Sequence, residues 1–330
     1  MKIKKIVFLE SAYSLLLYIM LNSNFEKDSI FVYHGKSINE VFENSKINLE
    51  TIYIPREEYI KKTKIKNIFK RKIEKVKYKN YLRNKLLMLI KEKTEGYKIE
   101  YFGNDNEVEP KLLWNYIDQF TVIEDGWANY RIDHFEEYQK KLKNKFRRKK
   151  DLKKGLSPKV EKIILSGLTE IPDIIKEKAE VINFKKLWEQ KTEKEKEKIY
   201  NFFGLEKKDI ECIRGKKVIF LSQPLEEDES LTKKETIEVY KKIFKNYNEE
   251  DILFKLHPRG IYTYKNEFPK MEVFRSRIPF QIFEYMGIEF DTVATIYSTA
   301  IWNIKNAKKI DFYGTKIHPK LLKQFGNIEK

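Results

Sequence analysis

The polar and apolar positions of this chain alternate between two periods. Short apolar runs bounded by turn residues predict strands, and longer stretches with apolar residues three and four apart predict helices. In the first half, strands are predicted at Lys5–Leu9, Ser29–Tyr33, Thr51–Ile54, Lys98–Phe102 and Phe120–Ile123, with a helix at Ala12–Leu21. In the second half, strands are predicted at Lys162–Leu165, Val181–Phe184, Lys217–Leu221, Ile252–Leu256, Val273–Phe274, Thr292–Ile296 and Lys309–Phe312. Between them lie helical patterns at Ile171–Lys178, a polar stretch ending at Phe203, Thr232–Tyr247 and Pro279–Met286. Strands that alternate with helices imply parallel sheets covered on both faces, here as two Rossmann-like halves.

Two halves also suit the length, because 330 residues exceed one ordinary domain. Gly155, Ser157 and Pro158 interrupt the pattern after the basic run Phe135–Lys154, which sets the expected domains at 1–155 and 156–330. A second basic run, Lys61–Lys93, carries interleaved apolar residues. It is expected to form one or two helices with a buried side and a cationic side. No internal repeat is evident.

Composition narrows the class without settling it. The chain is 41% hydrophobic and 14% aromatic, enough for real cores, and carries a formal net charge of +17. That surplus favours an anionic partner such as a nucleic acid, an anionic membrane face, a nucleotide or a phosphorylated glycolipid. A general Lys-rich bias explains it equally well. The single cysteine, Cys212, excludes an internal disulfide, and with four scattered histidines no Cys/His metal cluster is expected. Lys2, Lys4 and Lys5 precede apolar residues, but Glu10 splits that run. It therefore reads as strand, turn and buried helix rather than a signal peptide. With no segment near the roughly 20 apolar residues of a membrane span, a soluble or peripheral protein is expected.

Candidate chemistry sits where strands end. In Asp251–Gly260 an apolar run stops at His257, Pro258 and Arg259, which places an imidazole and a guanidinium, both suited to a phosphate, at a sheet edge. Phe120–Ile123 stops at Glu124, Asp125 and Gly126, followed by Trp127, Asn129 and Tyr130, which could pack on a sugar ring. Paired carboxylates beside a turn residue suit a general base, although Asp125 could instead cap the next helix. Strand Lys217–Leu221 leads into Ser222, Gln223 and Pro224 and then the acidic loop Glu226–Glu229. The run ending at Ile296 leads to Ser298 and Thr299, which could cap a helix or donate to a phosphate. The acidic residues Asp105–Glu109 read as a polar loop with a helix start nearby. Without a glycine-rich fingerprint or phosphate loop, NAD and ATP chemistry are disfavoured.

Taken in order, Glu124-Asp125-Gly126, His257-Pro258 and Ser298-Thr299 resemble the three short motifs of bacterial sialyltransferases. Leu221–Leu225 and Ile278–Gln281 strengthen the likeness to the family that caps bacterial lipooligosaccharide with sialic acid. The resemblance implies an α/β GT-B fold of two Rossmann-like domains facing across a central cleft, with Asp125 and His257 looking into it. The implied reaction is an inverting transfer from CMP-sialic acid to a galactose-terminated glycan or glycolipid, with no metal and no cofactor.

Asp125 would then be the general base, with Glu124 beside it. His257 would hydrogen-bond or protonate the leaving CMP phosphate, and Ser298 and Thr299 would bind it. Pro258, Gln223, Pro279 and Phe280 fall on the donor side, and Gly126, Trp127 and Asn129 on the acceptor side. Arg259 is added on physical grounds, as a cation that neutralises charge when the glycosidic bond breaks. The acids of Glu226–Glu229 are a rival source of the base.

In this reading the protein is cytoplasmic, held by its basic helices on the anionic inner face of the bacterial plasma membrane, with no nucleic acid as partner. A homodimer is compatible with it. Two alternatives stand beside it: a GT-B enzyme using another nucleotide sugar, and a basic nucleic-acid-binding protein.

Overall fold

The structure is a computed structural model that describes residues 2–55, 61, 64, 66–131, 155–301, 304 and 306–329. It divides into two compact units, Met1–Phe202 and Phe203–Lys330.

The first unit is built on a seven-stranded parallel sheet. Its strands are β1 (Ile3–Phe8), β2 (Ser29–Tyr33), β3 (Glu50–Tyr53), β4 (Lys98–Gly103), β5 (Phe120–Ile123), β6 (Val160–Leu165) and β7 (Ala179–Val181), in the order β3-β2-β1-β4-β5-β6-β7. The chain runs outward one way through β1, β2 and β3, then returns to lay β4 against the other side of β1. The loops leaving β1 and β4 therefore diverge, and such a reversal of strand order is where open α/β sheets leave a crevice for ligands.

Both sheet faces are covered. The helix Ala12–Leu21 is apolar almost all round and buries Leu15, Leu16, Leu17, Ile19 and Met20, while its Tyr18 hydroxyl lies 2.7 Å from Ser29 Oγ. The basic run Lys61–Lys93 yields one long helix, Ile68–Thr94. Its buried residues Tyr78, Leu82, Leu86, Ile90 and Thr94 recur every fourth position, a single stripe that packs on the sheet and leaves the lysines outside. Phe135–Lys154, the other basic run, lies outside the described residues.

The expected boundary near Gly155 is corrected. Strand β6 continues the first sheet in parallel register with β5, Ile123 opposite Ile164, and β7 follows it. Beyond them the helices Phe184–Gln190 and Glu193–Phe202 also belong to this unit. The Phe202 ring meets Phe25, Phe31 and Phe42, and Lys198 pairs with Glu26 at 2.8 Å. Turn residues mark where an element breaks, and they say nothing about which sheet the next strand joins. The expected strand Val181–Phe184 is displaced to Ala179–Val181, because Asn183 accepts from Lys186 N at 2.9 Å and starts a helix at Phe184.

The second unit holds a five-stranded parallel sheet of β8 (Val218–Leu221), β9 (Ile252–Lys255), β10 (Glu272–Phe274), β11 (Phe290–Thr295) and β12 (Ala307–Phe312), ordered β10-β9-β8-β11-β12. Here the order reverses between β8 and β11. On one face the helix Lys233–Phe244 buries Val239, Tyr240, Ile243 and Phe244 against Phe220 and Phe254. A capping box starts that helix: Thr232 Oγ1 accepts from Glu235 N at 3.3 Å while Glu235 accepts from Thr232 N at 2.9 Å. Among the described residues no helix is long and apolar enough to cross a membrane.

Candidate active site

In the first unit, three strand ends meet around Asp125. After β1, Ser11 caps the helix Ala12–Leu21 by accepting from Ser14 N at 3.1 Å, and Ser14 Oγ then donates to Asp125 Oδ1 at 3.0 Å. Strand β4 ends at Gly103, whose φ of +129° and whose absent Cβ matter equally: a Cβ would lie 1.9 Å from Phe8 O. That close approach lets Asn104 N donate to Phe8 O at 3.0 Å and aims Asn104 Nδ2 at Asp125 Oδ2, 3.2 Å away. Among the described residues each carboxylate oxygen thus accepts one hydrogen bond from a neutral donor, and no cation is among the partners of the Asp125 side chain. A partly exposed carboxylate held this way keeps lone pairs free to take a proton.

Asp125 does not cap the turn that follows. Its backbone N–H instead donates to Asn129 Oδ1 at 2.8 Å, and Gly126, at φ +108°, turns the chain into the short 3-10 segment Trp127–Asn129. Asn129 is therefore fastened to the backbone of Asp125. The Trp127 side chain lies outside the described residues.

Glu124 faces the other way, which corrects its expected place beside the base. It is 0% exposed and accepts hydrogen bonds from Tyr130 Oη at 2.8 Å, Ser166 Oγ at 3.0 Å and Tyr13 Oη at 3.1 Å, and also from Ser166 N. Burial pushes its pKa up while those donors pull it down. With its oxygens filled from helix Ala12–Leu21, β6 and the Tyr130 turn, Glu124 is an internal tie.

Sequence reasoning also missed a histidine cluster next to this edge. His34, at the end of β2, lies with Nδ1 2.5 Å from Glu10 and 3.1 Å from Glu109, and with Nε2 3.9 Å from Glu107. The four ligand-type atoms, one of them from the imidazole, fall within 4.8 Å of one another. Burial alone would lower its pKa, but hydrogen bonds to Glu10 and Glu109 and their charges outweigh it and raise it to about 9. The expected polar loop Asp105–Glu109 is corrected too: Asp105 and Glu109 are 3% and 2% exposed, and Asp105 anchors Gly155 N at 2.8 Å. A scan for Cys and His could not find this group, because three of its members are glutamates from two distant loops.

In the second unit, Ser222 leaves β8 and His257 leaves β9 at one sheet edge, with His257 N donating to Ser222 Oγ at 2.8 Å. His257 Nδ1 accepts from Arg259 N at 3.1 Å, which leaves the ring proton on Nε2, pointing away from that turn. Burial, then the nearby Arg259 charge, lowers its pKa to about 4, so the ring is a neutral donor at neutral pH. Ser298 follows β11. Its Oγ accepts from Ala300 N at 3.3 Å, leaving its own hydroxyl proton for another acceptor, while its N–H donates to Thr295 Oγ1 at 3.2 Å. The Thr299 side chain lies outside the described residues. Gln223 is half-buried at the same switch point, and among the described residues its side-chain amide has no partner.

Several expected residues are engaged elsewhere. The Arg259 fork closes on Asp228, Nη2 to Oδ2 at 2.9 Å and Nη1 to Oδ1, so its donors face a carboxylate of its own chain. In the acidic loop, Glu227 accepts from Ile261 N at 2.5 Å and Glu226 from Tyr264 Oη at 2.7 Å. These contacts bind loop Glu226–Glu229 to the segment after Pro258. Pro279 begins the turn into helix Gln281–Tyr285, but the Phe280 ring is buried against Phe283 and Phe290, which corrects its expected place on the nucleoside.

One further side chain at this edge was not anticipated. Lys255, the last residue of β9, is 8% exposed and donates to Ser276 O at 3.3 Å, with its Nζ 5.4 Å from the centre of the Phe274 ring. Arg277 reaches the same corner through Nη1 to His257 O at 3.4 Å.

Residues 24–321 match glycosyltransferase family 52. An uncharacterized protein of Haemophilus influenzae is 33% identical over 326 residues, 99% of each chain. Among solved structures, an alpha/beta-galactoside alpha-2,3-sialyltransferase from Photobacterium phosphoreum aligns with TM-score 0.54 and 15% identity, covering 94% of this chain and 90% of its own. The GT-B domain of a sialyltransferase from Photobacterium damselae aligns with TM-score 0.52 and 12% identity, covering 93% and 89%. At these identities the likeness speaks for the fold, which is GT-B.

Proposed function

The chain belongs to glycosyltransferase family 52, and from that premise we propose that it is an inverting sialyltransferase that moves sialic acid from CMP-sialic acid to a galactose-terminated glycan or glycolipid. The observation that carries this reading is the hold on Asp125, whose two oxygens receive Ser14 and Asn104 and, among the described residues, no cation. A base that must accept a proton from a sugar hydroxyl needs orientation without a positive neighbour to suppress its basicity.

In this reading Asp125 takes the acceptor hydroxyl proton as that oxygen attacks the anomeric carbon of the sialyl group, and the bond to the CMP oxygen breaks. The electron pair passes to the phosphate. His257 Nε2–H and the Ser298 hydroxyl are donors suited to that phosphate, and no proton need be delivered to it. A neutral His257 stabilises the leaving group by hydrogen bonding, which favours this over its protonating the phosphate. Asp228 is the weaker candidate for the base, because both its oxygens are held by Arg259. Gln223 and Pro279 remain suited to the nucleoside, and Gly126 and Asn129 to the acceptor. The chemistry asks for one base and a set of donors, without a metal.

The long helix adds a location. Phe69, Ile73 and Val76 are 79%, 56% and 58% exposed among the lysines of Ile68–Thr94. Apolar side chains set in a cationic helix suit an anionic lipid surface, at roughly 1 kcal/mol per well-placed Lys or Arg. That surface supports a lipid-linked acceptor at the inner membrane face as part of this reading.

The test is incubation of the purified protein with CMP-sialic acid and lactose, following CMP release and the sialylated product. Product that disappears in Asp125→Ala and His257→Ala supports the reading. Turnover of a different nucleotide sugar alone, or tight salt-sensitive nucleic-acid binding with no turnover, overturns it.

A further inference from the structure

Among the described residues three lysines are buried, and two of them have a carboxylate: Lys4 pairs with Glu50 at 2.5 Å and Lys191 with Glu195 at 3.9 Å. Lys255 is the exception. Among the described residues its hydrogen-bond acceptor is Ser276 O, its Nζ lies over the Phe274 ring, and the charge that acts on it is Arg277, of its own sign. An ammonium taken out of water without a counter-charge is costly, so a chain that retains one there leaves a deficit of negative charge.

The place of that deficit is informative. Lys255 is the last residue of β9 and His257 stands two positions further on, near enough that the lysine's charge acts on the imidazole. The electrostatic neighbours of His257 are Arg259, Lys255 and Arg277, with Asp228 the one carboxylate, and Asp228 is already taken by Arg259. Three cations thus crowd a neutral imidazole whose Nε2–H has no acceptor among the described residues.

We propose that Lys255 is the proton-linked counter-charge for the donor phosphate: its amine takes up a proton as a phosphate dianion binds at His257 and Ser298. The proposal rests on the donor being a nucleotide sugar. Burial, then Arg277, lowers the Lys255 pKa to about 7, so near neutrality the free protein holds much of this amine uncharged. A dianion at the His257 edge supplies the missing negative charge and favours the ammonium. Lys255 acts through the field at the phosphate and through the position it gives His257. Its aliphatic stem alone would fill the same space with no such linkage.

CMP binding by calorimetry, with the full chain and between pH 7.5 and 9, tests this, because above its second pKa of about 6 the phosphate stays a dianion and His257 stays neutral across that window. The wild-type Kd is expected to rise with pH, approaching tenfold per pH unit, with proton uptake revealed by buffers of different ionisation heat. Lys255→Arg, charged throughout, is expected to keep the affinity and lose the pH slope. Lys255→Met is expected to lose about tenfold or more in affinity at pH 7 together with the slope, whereas His257→Gln loses affinity and keeps the slope.

A flat wild-type profile without proton uptake, or a slope that survives in Lys255→Arg, overturns the role of Lys255 while the donor reading stands. If wild-type protein binds no CMP at any pH, the donor reading itself falls and the proposal with it. Should the Met variant misfold, the wild-type proton uptake and the Arg variant still decide.

Discussion

Ser14 and Asp125 are 111 residues apart in the chain and joined by a 3.0 Å hydrogen bond from hydroxyl to carboxylate. The same serine, in the first turn of helix Ala12–Leu21, depends on the Ser11 cap, so one helix start fixes the direction of the candidate base. Asn104, delivered by the close contact of β4 with Phe8, holds the second oxygen. Two loops at the strand-order reversal therefore orient one acid.

Removal of that acid is expected to separate it from its rival. Asp125→Asn should lower kcat by about 10²–10⁴, the usual worth of a general base, and Ser14→Ala and Asn104→Ala should each cost less, with donor KM unchanged. Asp228→Asn should leave kcat far less affected. Steady-state kinetics with CMP-sialic acid and a galactoside check this, and the reverse ranking would transfer the base to the acidic loop.

Glu124 should matter for stability more than for turnover. In Glu124→Leu, several donors lose their acceptor inside the unit, at about 3 kcal/mol, and Tyr130→Phe should cost about 1 kcal/mol. Urea unfolding measures both. If Glu124→Gln instead folds with wild-type stability yet loses most of its turnover, Glu124 belongs to the chemistry.

The ring of His257 predicts a pH profile. With its pKa lowered to about 4, the His257 ring should add no step of its own near 6.5 to kcat/KM, which reports the free enzyme, and its protonation should lower kcat/KM only as pH approaches 4, apart from the loss above neutrality linked to Lys255. A clear inflection at 6–7 that is absent from His257→Gln would contradict the neutral donor.

His34 predicts a stability window of the opposite sense. Its folded pKa, about 9, stands above the unfolded value near 6.5, so the native state binds the extra proton. The stabilisation is fully present below about 6.5 and is lost as pH rises through 9. Thermal or urea unfolding at pH 6 and pH 9.5, with a chelator present, should show that loss in wild type and a smaller one in His34→Asn.

Much of this was legible in the chain itself. The alternation of apolar runs with helical stripes located the strands that carry the site, and His257, Ser298 and Asp125 each fall directly after one of them. The neighbours Glu124 and Asp125 were not separable, because both lie beyond the last paired residue of β5, where the two-residue period no longer dictates facing. Phe280 was misplaced for a related reason: an aromatic residue at a helix start serves a core or a ligand equally well until its neighbours Phe283 and Phe290 are in place.

The sequence by itself determined that there are parallel α/β sheets, where their strands stop, and which polar residues stand at those stops, since these follow from periodicity and turn chemistry within a few residues. Tertiary structure alone decided that β6 and β7 complete the first sheet, that Glu124 is tied inside while Ser14 and Asn104 hold Asp125, and that His34 gathers three glutamates. It also decided that Lys255 lacks the carboxylate its two buried counterparts possess. Each of those outcomes depends on which distant segments pair, and a pairing is an energy of contact between residues that local pattern does not relate.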